Sequence, residues 1–268
     1  MIVALLSMLA VDCGTGGHVP VTLGTVIEIV ANTSDVSVVA NQAGEIQLPL
    51  SGVDCRKLGN VVRVEATEAT AVLSIVVPTW MPLKVAGSGS VRVQGILASI
   101  DIESTLGDIW IRGGRDHIVA RTVHGSVDVA DARGEIDLQA QHRPVALARS
   151  SGNVRIVNVT GETTLTDVQS SRLEASAVTG EIRCRCIPGP SAQWELRTHT
   201  GAVRVVLADT VGAVVTLDAP PNASRVDFPG AKAQRLDQRQ LVVVLGKGGA
   251  RIRLSSFSGA AFVAVSKR

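Results

Sequence analysis

The sequence predicts an all-β fold, a parallel β-solenoid built from coils of about 18 residues with irregular capping strands at both ends. Three observations carry this prediction. The first is a recurring phrase, a glycine followed two and four residues later by apolar side chains. It occurs as Gly89-Ser-Val-Arg-Val93, Gly107-Asp-Ile-Trp-Ile111, Gly125-Ser-Val-Asp-Val129, Gly134-Glu-Ile-Asp-Leu138, Gly152-Asn-Val-Arg-Ile156, Gly161-Glu-Thr-Thr-Leu165, Gly180-Glu-Ile-Arg-Cys184 and Gly201-Ala-Val-Arg-Val205. The second is the spacing of these glycines, whose numbers step by 18, 18, 9, 18, 9, 19 and then 21, a unit of 9 doubled to 18. Short fixed periods mark stacked architectures, and an apolar spacing of two belongs to strands. The third is composition. The chain has 26 Gly, no Tyr, three Phe and three Trp, and its apolar residues are mostly Val, Ile, Leu and Ala. Branched β-carbons suit a pleated surface, and a core with few aromatics suits thin stacked layers.

Taken in order, residues 1–20 read as a possible leader and flexible entry. Ile2–Val11 is apolar and shorter than the roughly 20 residues of a membrane-spanning helix, but long enough for the apolar part of a signal peptide. No Lys or Arg precedes it, and Asp12 stands before Cys13 where a lipoprotein signal has a small residue. A cleaved signal, a lipoprotein leader and a misassigned start therefore all stay open. Residues 21–83 read as N-terminal strands capping the solenoid: Val21–Val30, Val36–Ala40, Glu45–Leu48, Val61–Glu65 and Ala71–Val77, closed by Pro78 and Pro82 around Trp80. Proline brings no N–H to a ladder and marks strand ends. Residues 84–268 carry the repeats and a C-terminal cap, continuous with 21–83.

Within the repeats the glycines are expected as corners, where positive φ carries no steric cost for Gly. Pairs such as Val91 and Val93 or Ile109 and Ile111 should face inward. The residues between them, Arg92, Trp110, Asp128, Asp137, Arg155, Thr164, Arg183 and Arg204, should face solvent. At about 4.8 Å between strands, around six coils span roughly 30 Å. Beyond the repeats, Leu217–Pro229 reads as a loop or edge, followed by strands at Leu241–Leu245, Arg251–Leu254 and Gly259–Val265.

The net charge of +2, with both signs mixed, argues against nucleic acid as a partner. Cys13 and Cys55 could pair in an exported chain. Cys184 and Cys186 fall on one face of a strand and read as buried apolar side chains, since their C-x-C spacing lacks a second pair for zinc.

Several segments together resemble a group of bacterial envelope proteins with β-strand repeats of unknown function, known as "putative adhesins". Val77-Pro-Thr-Trp-Met-Pro-Leu-Lys-Val85 is similar to the entry into that family's first repeat. Trp194-Glu-Leu-Arg-Thr-His-Thr-Gly-Ala-Val-Arg-Val205 is similar to its late repeat, and Gly246-Lys-Gly-Gly-Ala-Arg-Ile-Arg-Leu-Ser-Ser-Phe-Ser-Gly259 to its ending. The resemblance covers about residues 21 to 265. It implies a β-solenoid behind a signal sequence or membrane anchor, with no agreed enzymatic activity and no functional residues to carry over.

No catalytic, cofactor or metal site is expected. Asp101, Glu103, Asp108, Asp128, Asp131, Glu135 and Asp137 could supply the paired carboxylates of a carbohydrate-active β-helix enzyme, which is one alternative. His18, His117, His124, His142 and His199 are scattered, although His117 and His124 could approach each other across a coil. Gly246-Lys-Gly-Gly249 lacks phosphate-loop spacing and reads as a hairpin turn. Trp110, in a place the repeat otherwise gives to polar residues, marks either a contact surface or packing under the N-terminal cap. The leading expectation is a non-enzymatic, exported scaffold or adhesin-like protein, periplasmic or on the cell surface, with a cytoplasmic location as the alternative. It would display Arg92, Trp110, Asp128 and Arg155 at fixed spacing to a cell-surface protein or polysaccharide. Self-association through the solenoid ends is a further alternative.

Overall fold

The computed structural model describes residues 11–13, 17–67 and 72–266. Residues 1–10 of the apolar run, 14–16 of the entry segment and 68–71 lie outside the described residues. The described chain is all-β: 26 strands in one mixed sheet, with no helix.

The sequence period becomes a register. Val91–Gln94, Ile109–Arg112, Val127–Ala130, Val145–Ala148 and the start of Thr163–Ala177 pair side by side in parallel, each offset from the last by one full period. The row continues through the start of Ile182–Thr198, then Val203–Leu207 and Ala261–Val265. This is the first ladder. A second parallel ladder is built from the residues between: Leu83–Gly87, Ile100–Ser104, Arg115–Thr122, Arg133–Ala140, Ser151–Asn158, the later parts of Thr163–Ala177 and Ile182–Thr198, Ala250–Ser256 and Ala213–Asp218. Six of the repeated phrases start strands of the first ladder, while those at Gly134 and Gly152 belong to the second, which is why the spacing drops to 9 at those points.

The N-terminal strands extend both ladders. Val26–Ala31 pairs in parallel with Leu83–Gly87, and Asp35–Asn41 with Val91–Gln94. Antiparallel strands then close this end, Val53–Leu58 against Val61–Ala66 and His18–Pro20 against Glu45–Gln47. At the other end Gln240–Leu245 runs antiparallel to Ala213–Asp218 and Lys232–Arg235. Ser224–Asp227 and Lys232–Arg235 each pair on one side, and both carry charged side chains, which oppose pairing with a second sheet edge. Leu217–Pro229, expected as loop or edge, thus contains the end of one strand and the whole of an edge strand.

The inward positions of both ladders form one apolar cluster from Val19 to Val263. Val91, Val93, Ile109, Ile111, Ile136, Leu138, Val154 and Ile156 are all buried, and so is Thr163, where the phrase is weakest. Trp194 is also inside, donating its indole N–H to Ser170 O at 3.0 Å. Cys184 and Cys186 are buried on the inner face with their sulfurs joined, so they are a linked pair where the sequence suggested two separate apolar side chains. Cys13 and Cys55, 42 positions apart in sequence, form a disulfide with Cα atoms 5.5 Å apart. Protein denatured without reductant should therefore leave its Cys13 and Cys55 peptides unlabelled by iodoacetamide, and label them after reduction, as read by mass spectrometry. Labelling before reduction would contradict the pairing.

The corners differ from expectation. Among the eight repeat glycines only Gly134 and Gly152 have positive φ, and these two lie within strands. Gly89, Gly107, Gly125, Gly161, Gly180 and Gly201 join the second ladder to the first, and their need for glycine is close approach. A Cβ at Gly125 would run into the backbone of Gly107, and one at Gly201 into that of Gly180. The corner leading from the first ladder to the second is the one that needs left-handed backbone. It stacks Gly95, Gly113, Asp131, Arg149 and Asp167, with φ of 84°, 108°, 61°, 44° and 54°. Three of these levels use non-glycine residues, so a search for glycines passes over them. At two levels an ion pair ties one corner to the next, Arg149 to Asp131 at 2.9 Å and Arg185 to Asp167 at 3.4 Å.

A polar residue three places before the glycine completes the other corner. Ser104, Thr122 and Ser256 are buried, and each hydroxyl accepts the N–H of the glycine three residues on while donating to a glycine carbonyl one level back. Asn158 does the same with its amide, accepting from Gly161 N and donating to Arg143 O. Buried backbone polar groups at the turn are thereby satisfied from within the chain.

Candidate binding surface

Register assigns each expected contact residue a place. Arg92, Trp110 and Asp128 are direct neighbours in one outward row of the first ladder. Arg155 is on the second ladder, between Asp137 and Glu174. The structure therefore brings three of the four together and separates the fourth.

The first-ladder group satisfies itself. The Arg112 guanidinium lies 4.1 Å from the Trp110 ring centroid, and that of Arg92 lies 5.3 Å from it. Arg112 also holds Asp128, carboxylate at 2.9 Å and carbonyl at 3.2 Å. Trp110 is half-buried between these two cations. Packing under the N-terminal cap is not its setting; flat guanidinium groups favour the face of an indole, and the row positions supply two of them.

The acidic residues considered for catalysis are distributed among basic and hydroxyl partners. Arg121 reaches Glu103 at 3.0 Å, Asp101 at 3.7 Å and Asp137 at 3.8 Å. Asp108 accepts both the backbone N–H and the hydroxyl of Ser126, at 2.7 and 2.8 Å. Those hydrogen bonds, the backbone one foremost, hold its carboxyl below the usual range. Arg149 lowers Asp131 in the same way, and Arg172 lowers Glu174, each chiefly by hydrogen bonding. A group with a lowered folded pKa stabilises the fold above its unfolded pKa and loses that contribution as pH falls through the folded value. Asp108→Asn should therefore destabilise the protein near neutral pH, with the gap to wild type narrowing as pH is taken below about 4. Urea unfolding at several pH values measures this, and a gap independent of pH would contradict it.

His117 and His124 do not meet. His117 sits 3.5 Å from Glu135, whereas His124 lies past the far end of the same strand and stacks on His142 with ring centroids 5.2 Å apart. His199 stacks on Phe257 at 4.7 Å. Among the described residues no three His, Cys, Asp or Glu side chains are grouped to hold a metal ion.

Five depressions, of about 540, 620, 310, 560 and 60 Å³, all open on the second ladder. Arg155 lines two of them, one with His117, Glu135 and Asn153, the other with Glu195 and Arg197. Another gathers Arg172, Glu174, Gln193, Arg251 and Arg253 above the buried Trp194. The repeated glycine phrase draws attention mostly to the first ladder, so sequence reasoning passed over most of this surface. The usable signal was the polar residue three places before several of the glycines, Ser104, Thr122, Asn158, Thr198 and Ser256, each at the end of a second-ladder strand.

No protein-family model matches the chain. A search of curated proteins returns no match. A solved structure described as a "putative cell adhesion protein" from Clostridium sporogenes aligns over 91% of this chain and 94% of its own, at 9% identity and a TM-score of 0.21.

Proposed function

We propose that the chain is a two-sided parallel β-solenoid acting as a non-enzymatic, adhesin-like binding protein of the bacterial cell envelope, with the second ladder as its contact surface. The observation that carries this reading is the alignment of five depressions along that one ladder, whose outward side chains are held at strand spacing by parallel pairing. A surface of this kind binds by many modest contacts repeated along a rigid frame. Arg155 belongs to it. The Arg92, Trp110 and Asp128 row serves as a brace for the first ladder, since Arg112 engages both the Trp110 ring and Asp128 and Arg92 lies over the same ring. The Cys13–Cys55 disulfide supports an oxidising compartment, outside the cytoplasm.

Sedimentation of the purified full chain with bacterial envelope fragments tests the reading. Saturable co-sedimentation is expected, weakened by Arg155→Glu, which places a third acid beside Asp137 and Glu174. Absence of saturable binding, or binding unaffected by Arg155→Glu and abolished by Arg92→Glu, would overturn the assignment of surface.

A further inference from the structure

Two of the five depressions are segments of one groove. The first is lined by Glu103, Thr105, Arg121, Val123, Gln139 and Val159, among others. The second is lined by Ser176, Arg197, His199, Ser255 and Phe257, together with Asp218 and Arg239. Register joins them. Glu103, Arg121, Gln139, Val157, Ser176, Arg197 and Ser255 occupy equivalent positions on successive strands of the second ladder. The residues just past those strand ends, Thr105, Val123, Gln141, Val159, Val178, His199 and Phe257, repeat with the same spacing along the corner. From Leu83–Gly87 to Ala213–Asp218 the groove crosses nine strands, about 38 Å at the usual separation.

Its two walls differ. The wall on the strands is polar for most of its length, with Glu103, Arg121, Gln139, Ser176, Arg197 and Ser255. The corner wall mixes Thr105, Gln141 and His199 with apolar side chains: Val123 and Val159 are half-buried, Val178 is 50% exposed and Phe257 is 62% exposed. Its cations are neutralised locally, Arg121 by three carboxylates, Arg197 by Glu195 at 3.7 Å and Arg239 by Asp218 at 3.2 Å.

From this geometry we infer that the groove binds an extended, uncharged polysaccharide segment. The inference rests on the second-ladder reading above and names its ligand class. A sugar chain is itself two-sided, with apolar C–H faces and hydroxyl edges. The hydroxyls find donors and acceptors in the guanidinium, carboxylate and amide groups of the polar wall, and the C–H faces meet the valines and Phe257. A polyanion is disfavoured because Arg121, Arg197 and Arg239 each already face a carboxylate, at 3.0, 3.7 and 3.2 Å. A peptide that adds as a strand is disfavoured because it needs a free sheet edge, and the strands under the groove are paired on both sides.

Affinity gel electrophoresis of the full chain in dextran, mannan, xyloglucan and soluble starch, with alginate and heparin as anionic contrasts and a polyalanine-rich peptide as competitor, tests this. Retardation by at least one neutral polymer is expected. It should weaken at least tenfold in Phe257→Ala and in the Gln139→Ala, Gln141→Ala double variant, and persist in Thr164→Ala on the first ladder. Circular dichroism identifies any variant that has lost its fold, and for such a variant Gln139→Glu, which keeps size while adding charge, replaces it with the same loss expected. Retardation by no neutral polymer, by anionic polymers alone, or by neutral polymers equally in all groove variants overturns the inference, as does displacement by the peptide. Envelope binding that survives while neutral-polymer retardation is absent overturns the glycan groove and leaves the contact surface standing; loss of both overturns both.

Discussion

Gly152→Val is expected to lower the unfolding free energy by about 4 kcal/mol or more, read as a shift in the urea midpoint. Two effects combine at this position. Its φ of 129° lies where side-chain-bearing residues are strained. A Cβ there would also fall well inside the van der Waals envelope of the Gly134 carbonyl, on the strand directly alongside. Neither strand can move aside, because Gly134 in turn abuts Asp116 one level further on. Gly44→Ala provides the contrast. Nothing lies within 4 Å of the added carbon and φ is not in the left-handed region, so the change should be neutral or stabilising by under about 1 kcal/mol. Similar small effects from both substitutions would mean that the levels are not stacked as closely as the register requires.

Trp194→Ala should cost about 3–5 kcal/mol, the range for emptying a large buried aromatic site. Trp194 is 3% exposed and stands between Leu173 and Ile252 on neighbouring strands of the second ladder. Its indole N–H is the donor to Ser170 O, next to the register shift between Ser170 and Arg172. Trp194→Phe keeps most of the volume and loses that donor, so it should cost less, about 1–3 kcal/mol. Unfolding curves of the two variants separate packing from hydrogen bonding. Equal losses would show that the hydrogen bond, and not the ring volume, is what holds this part of the ladder.

Much of the architecture was legible because alternation is local. Val91 and Val93 or Ile109 and Ile111 have to face one side of any strand they occupy, so inward and outward sets could be assigned before any partner strand was known. The repeat period likewise translates directly into parallel neighbours. The roles of individual turning residues were less legible. Gly125 and Gly152 look alike in the repeated phrase, yet one sits in a corner and the other inside Ser151–Asn158. Asp131, Arg149 and Asp167 do the left-handed turning without any glycine to mark them. Trp110 read as an exposed contact because its row position is outward. Its two guanidinium partners come from Arg92, one period earlier and one strand across, and from Arg112 on its own strand.

The candidate site illustrates the same division. Composition and spacing by themselves determined the strand class, the two-residue alternation and the length of a level, since each depends on backbone periodicity and on which side chains avoid water. They also marked Cys13 and Cys55 as a possible pair. Tertiary structure decided which rows share a ladder, that Arg155 stands apart from Arg92, Trp110 and Asp128, and that the depressions open on the second ladder. Those outcomes depend on how one level sits on the next. Stacking offsets, bulges and the filling of space between rows are properties of many residues at once, and a short motif carries only its own share of them.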